Sequence, residues 1–107
     1  MSPGQLRLIA CVSALLAMAV PAHAATITIT MDKLVISPAE ATAKVGDTLE
    51  LVNKDVLAHT ATAKNGDFDV MMPPNKTVTY VLKKAGTVDY YCRFHPNMRA
   101  HLNVSAK

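Results

Sequence analysis

Cys92, His95 and Met98 fall at three-residue intervals in Tyr91-Cys92-Arg93-Phe94-His95-Pro96-Asn97-Met98, a C-x-x-H-x-x-M spacing. A thiolate, an imidazole and a thioether are soft or borderline metal donors. A second imidazole, His59, lies upstream in a segment of strand character. Two imidazoles, one thiolate and a weak axial thioether form the donor set of a mononuclear blue-copper site. The expected metal ligands are therefore His59, Cys92, His95 and Met98, and the fold must bring all four to one point. Pro96 fixes φ beside His95 and removes a backbone donor. The plain alternative is a polar surface loop in which Met98 merely begins the next strand.

Other chemistries fit these residues less well. Structural zinc takes four nitrogen or sulfur ligands, such as Cys₂His₂, and only one cysteine lies beyond position 24. A c-type haem needs C-x-x-C-H, which is absent. A thiol enzyme needs a third group to orient the imidazole, and none stands out near His95. A second copper centre needs more imidazoles than His59, His95 and His101, and His101 reads as a solvated residue of the last strand. The Cys/His/His/Met set leaves no open position for a substrate, so the protein is not expected to be an enzyme.

The 107-residue chain suffices for one domain. Its first 24 residues have the pattern of a secretory signal peptide. Arg7 lies in a short n-region, Leu8 to Val20 is apolar except for Ser13, and Ala22-His23-Ala24 is an A-x-A cleavage pattern. The apolar run is shorter than the roughly 20 residues of a spanning helix, so no stable membrane insertion is expected. Leu8-Ile9-Ala10-Cys11 resembles a lipid-attachment box, but its cysteine precedes most of the apolar run. The expected organisation is a signal peptide over 1–24, cut after Ala24, and one exported domain over 25–107 in the periplasm. The leader carries away Arg7 and Cys11. The remaining ten cations and eight acids include no basic run, and there is no Trp, so a nucleic-acid partner is not expected. Cys92 is then alone and has no internal disulfide partner. A metal would occupy the thiol and add stability.

The elements that must position these groups read as strands. Ala25-Thr26-Ile27-Thr28-Ile29-Thr30-Met31 alternates strictly, and Thr48-Leu49-Glu50-Leu51-Val52 does so again. Shorter strand-like runs are Leu34–Ile36, Glu40–Val45, Ala58–Ala63, Phe68–Met72, Thr77–Leu82, Thr87–Cys92 and Arg99–Ser105, with turn signals such as Gly46-Asp47, Asn65-Gly66 and Ala85-Gly86 between them. Seven to nine short strands at this spacing predict an all-β antiparallel sandwich. In Val88-Asp89-Tyr90-Tyr91-Cys92 the two-residue period puts Val88, Tyr90 and Cys92 on one face. If that face is the core, the sulfur points inward, where a thiolate–metal bond is shielded.

Val52-Asn53-x-Asp55-x-x-x-His59-Thr60, Gly86-Thr87-Val88-Asp89-Tyr90-Tyr91-Cys92 and C-x-x-H-P-x-M followed by Arg99 resemble the cupredoxins, most of all the amicyanins, over essentially all of 25–107. The resemblance implies a cupredoxin-like Greek-key β-sandwich with one type 1 copper ion per chain. It assigns His59, Cys92 and His95 as equatorial ligands and Met98 as the axial one. Thr60 stands where the family usually has Asn, and its hydroxyl is expected to tie the two ligand loops together. Phe94 stands where amicyanins have Pro, and its amide is expected to reach the thiolate and raise the potential. The domain is also shorter than typical amicyanins.

The expected function is a periplasmic blue copper protein, monomeric, that carries single electrons between a protein donor and a protein acceptor docking transiently near His95. Phe94, Pro96, Met71, Met72, Pro73 and Pro74 are expected to form an apolar patch there, although Met71 and Met72 would serve equally well in the core. Arg99, Arg93 and Lys54 would steer an acidic partner. The alternative is a copper carrier or resistance protein that sequesters or delivers the metal, with Met71, Met72 and His101 taking part in transfer.

Overall fold

Residues 23–107 are described by the computed structural model; the expected leader, apart from His23 and Ala24, lies outside them. The alternating segments form nine strands: β1 (Thr26–Asp32), β2 (Val35–Ser37), β3 (Glu40–Lys44), β4 (Thr48–Asn53), β5 (His59–Ala63), β6 (Asp69–Met72), β7 (Thr77–Val81), β8 (Gly86–Cys92) and β9 (His95–Ser105). They make two sheets, ordered β2-β1-β4-β7 and β3-β9-β8-β5-β6. The inward sets of the two sheets meet in one core. Ile29, Met31, Leu49 and Leu51 come from the first sheet, and Val88, Tyr90, Leu102 and Val104 from the second. Along β9 the period of two is sustained, burying Met98, Ala100, Leu102 and Val104 and exposing the residues between them.

The expected sandwich is present, but it is not purely antiparallel. β1 runs parallel to β4, with Ile27 opposite Leu49 and Ile29 opposite Leu51. β3 runs parallel to β9, with Ala41 opposite Leu102 and Ala43 opposite Val104. Turn signals describe only how consecutive strands are joined. These two pairings link strands separated by intervening elements, and local pattern carries no information about them.

The second difference lies at the metal-donor segment. β9 begins at His95 and not at Arg99, so the expected ligand loop shrinks to the turn residues Arg93 and Phe94. Cys92 and His95 pair directly across this turn, and the β8–β9 register shifts between Tyr91 and Cys92. The strands thus carry the two donors to their positions, and little free loop remains.

One turn is strained and is held from outside. Lys33 and Leu34 join β1 to β2 with φ of 54° and 62°, the left-handed region that two-residue hairpins use and that non-glycine residues disfavour. The carboxylate of Asp55 accepts both turn amides, Lys33 N at 2.7 Å and Leu34 N at 3.1 Å. Asp55 belongs to the loop between β4 and β5, so it ties this turn to the strand that carries His59.

Candidate metal centre

Three elements converge at one end of the sandwich. β8 ends on Cys92, whose inward phase with Val88 and Tyr90 buries the sulfur completely. β5 opens on His59, also fully buried. β9 opens on His95, which is half-buried. Cys92 Sγ lies 3.6 Å from His59 Nδ1 and 3.7 Å from His95 Nδ1. The three donor atoms all fall within 4.8 Å of one another. The two imidazoles meet edge to face, with ring centroids 5.1 Å apart.

The two sulfur–nitrogen distances are those of donors around a shared ion. Metal bonds of about 2.3 Å to sulfur and about 2.0–2.1 Å to nitrogen, at angles between tetrahedral and trigonal, separate the sulfur from each nitrogen by about 3.6–3.8 Å. The set is one soft thiolate and two imidazoles, in the proportions of a trigonal copper site. Met98 is almost fully buried on the inner face of β9, three residues beyond His95. Its thioether therefore faces the interior and not solvent.

A polar frame surrounds the donors. With Nδ1 turned to the sulfur, the other nitrogen of His59, Nε2, lies 2.7 Å from Asp55 Oδ2. A carboxylate on the outer nitrogen fixes the tautomer and ring orientation of a metal-binding imidazole. Desolvation raises the Asp55 carboxyl pKa, but the His59 hydrogen bond and the Leu34 and Lys33 amides outweigh it and hold the group below the usual carboxylate value. Asn53, itself buried, orders the same loop: its side-chain amide donates to the carbonyls of Leu57, Met72 and Pro73, and its Oδ1 accepts from Asp55 N. In the sequence Asn53 and Asp55 are positions of a polar loop with nothing to mark these roles.

Thr60 does join the two ligand segments. Its hydroxyl accepts the Arg93 amide at 2.8 Å, and its own amide donates to Cys92 Sγ at 3.4 Å. The amide on the sulfur is thus that of Thr60; the expected donation from Phe94 is not among the hydrogen bonds formed. Cys92, His59 and Asp55 also stand in the order of a thiol nucleophile, base and orienting acid. The sulfur is nevertheless sealed from solvent and flanked by both imidazoles, which leaves no approach for an electrophile.

The remaining expectations divide. Met72 is 0 % exposed and packs in the core, whereas Met71 is 48 % exposed. Phe94, Met71, Val56, Leu57 and Leu34 are exposed apolar residues, with Pro73, Pro74 and Pro96 also at the surface. Met72 must therefore be removed from the expected patch. Arg93 is committed to Asp69, at 3.1 Å, and stacks over the Phe94 ring. His101 is exposed on the outer face of β9, paired with Asp89 and outside the donor cluster.

The profile of the cupredoxin-like domain matches residues 6–104. The chain belongs to the cupredoxin family. It is similar to the methylamine utilization protein MauL of Methylorubrum extorquens, 34 % identical over 98 residues, covering 88 % of this chain and 86 % of that one. It is also similar to amicyanin of Paracoccus versutus, 32 % identical over 91 residues, covering 79 % and 67 %. Among solved structures it is similar to that same amicyanin, with a TM-score of 0.64 and 32 % identity over 83 % of this chain and 88 % of that one. A reduced amicyanin variant with phenylalanine in place of a proline gives a TM-score of 0.62 at 29 % identity, covering 83 % and 89 %. This cupredoxin is accordingly a copper protein and not an enzyme.

Proposed function

We propose that this cupredoxin is a periplasmic carrier of single electrons, with one type 1 copper ion that His59, Cys92, His95 and Met98 would hold. The observation that carries the reading is the buried Cys92 sulfur between two imidazole Nδ1 atoms at 3.6 and 3.7 Å. When bound, the copper supplies one-electron chemistry by cycling between two oxidation states. The protein's part is to hold the donors still. Asp55 holds the ring of His59, and the strand pair β8–β9 holds Cys92 against His95. Burial of Cys92 and His59 keeps water and a second thiol away from the sulfur.

The half-buried edge of His95 is the exit toward partners. Phe94, Met71, Val56 and Leu57 are exposed apolar side chains available for transient docking of a protein donor and a protein acceptor. Residues 1–24 act as an export signal, and the domain over 25–107 works as a monomer. Exposed Met71 is the feature that favours the second reading, a carrier that hands copper on. Electrochemistry and competition separate the two. The electron carrier shows reversible one-electron reduction and keeps its copper against a Cu(I) chelator. Rapid loss of Cu(I) to the chelator would overturn that reading in favour of delivery.

A further inference from the structure

A hydrogen-bonded ring next to Cys92 has only one possible direction. Arg93 N donates to Thr60 Oγ1 at 2.8 Å. The hydroxyls of Thr60 and Thr62 are 2.8 Å apart. Thr62 Oγ1 donates to Asp69 Oδ1 at 2.7 Å. Arg93 Nε returns to the same carboxylate oxygen at 3.1 Å and closes the ring.

The proton order follows from chemistry. An ionised carboxylate only accepts, and a hydroxyl has one hydrogen to give. Thr62 must spend its hydrogen on Asp69. Its oxygen then accepts from Thr60. Thr60 has no hydrogen left, so only a lone pair faces the Arg93 amide, as that amide requires. The hydrogen bonds of Thr62 and of the Arg93 guanidinium hold the Asp69 carboxyl below its usual pKa. The charge at the end of the chain polarises each bond before it.

The ring spans three parts of the fold. Thr60 and Thr62 share one face of β5, Asp69 sits opposite Thr62 at the start of β6, and Arg93 occupies the turn between β8 and β9. Thr60 is fully buried, and its backbone amide donates to the Cys92 sulfur. The ring therefore fixes the peptide immediately after Cys92 and the residue whose amide touches the sulfur.

We propose that Asp69 and Thr62 are positioning residues for the copper centre: through Thr60 and the Arg93 amide they clamp the Cys92–Arg93 peptide and hold the thiolate in one place in both oxidation states. This rests on the electron-carrier reading for its purpose, but the clamp itself can be read in the copper-free protein. Thr62→Val keeps the shape and removes the hydroxyl. Asp69→Ala removes the terminal acceptor at a side chain that is 54 % exposed, where the fold tolerates the loss.

The experiment is hydrogen exchange of the Arg93 amide in the copper-free protein, together with the reduction potential of the copper-loaded protein. Either variant should speed Arg93 exchange by about threefold or more, because Thr60 keeps its hydroxyl but is free to turn its hydrogen toward the amide and weaken that neutral hydrogen bond, with core amides such as Leu102 unchanged. Both should shift the potential, and Thr62→Ser should restore exchange and potential together. Unchanged Arg93 exchange in folded Asp69→Ala would overturn the proposal. So would faster exchange with an unmoved potential, because the ring would then be scaffold alone. Failure of the wild type to bind copper would instead defeat the electron-carrier reading, with the exchange result still standing on its own.

Discussion

The two ring nitrogens of His59 face opposite tasks: Nδ1 lies 3.6 Å from the Cys92 sulfur, and Nε2 lies 2.7 Å from the carboxylate of Asp55. The same carboxylate accepts the Lys33 and Leu34 amides of a left-handed turn. One acidic side chain thus orients a donor of the metal cluster and secures a neighbouring hairpin. Asp55→Ala is expected to lower copper affinity by about 10–100-fold, the usual effect of removing such an outer partner. Competition with a copper chelator measures it. An affinity within about twofold of wild type would show that the imidazole needs no such partner, since this effect is far smaller than the ~10-fold minimum expected.

Met71 and Met72 are adjacent in β6 and opposite in fate. Met72 has no exposed surface, and Met71 is 48 % exposed. Met72→Ala is expected to cost about 2–5 kcal/mol of stability through lost burial and a residual cavity, while Met71→Ala changes stability by less than about 0.5 kcal/mol. Urea denaturation of both variants checks the contrast, and equal costs would contradict the assigned strand phase.

That pair also shows what the sequence makes legible. Two adjacent residues of a strand must face opposite sides, and in the four-residue β6 the single polar residue Asp69 marks the outer face, and with it Met71, only once the strand is known to begin there. In β8 the alternation extends far enough to settle the phase, and Val88, Tyr90 and Cys92 are buried as expected. That His59, Cys92 and His95 come together was legible because their residue types are rare and their chemistry specific. Asp55 and Asn53 were not, because a polar loop residue looks the same in sequence whether it meets solvent or a buried ring. The parallel pairings of β1 with β4 and β3 with β9 were hidden for a similar reason. They join segments that local pattern treats as independent.

Acid should weaken the sandwich where β1 begins and β3 turns into β4, through Asp47. Its carboxylate accepts from the backbone nitrogen of Ala25, which cleavage after Ala24 would make the amino terminus, at 2.9 Å and from the amide of Lys44 at 2.9 Å. Those two bonds, the one from Ala25 first, hold the carboxyl below its usual value despite desolvation. A depressed folded-state pKa gives stability that is fully present above the unfolded value of about 3.9 and is lost as pH falls through the folded value. The stability difference between wild type and Asp47→Asn should therefore be constant from about pH 7 to pH 5 and shrink below about pH 4. Denaturation series at several pH values test this, and a difference that grows on acidification would contradict it.

Tyr90 carries a buried hydroxyl with no hydrogen-bond partner among the described residues. Its ring packs against Phe68, and burial pushes its pKa up to about 12. A buried polar group without a partner costs about 1–3 kcal/mol. Tyr90→Phe, which keeps the ring and removes the hydroxyl, is expected to raise stability by about 1 kcal/mol or more. Thermal or urea unfolding reads the result. A loss of stability would mean that the hydroxyl has a partner after all.

The most direct test of the central claim is the visible absorption spectrum of the copper-loaded protein, with Cys92→Ser measured beside it. A buried thiolate bound to Cu(II) between two imidazoles gives an intense charge-transfer band and a strong colour, which reduction bleaches and Cys92→Ser abolishes. A colourless copper-loaded protein, or a band that survives Cys92→Ser, would contradict the assignment of the Cys92, His59 and His95 cluster as a type 1 copper site.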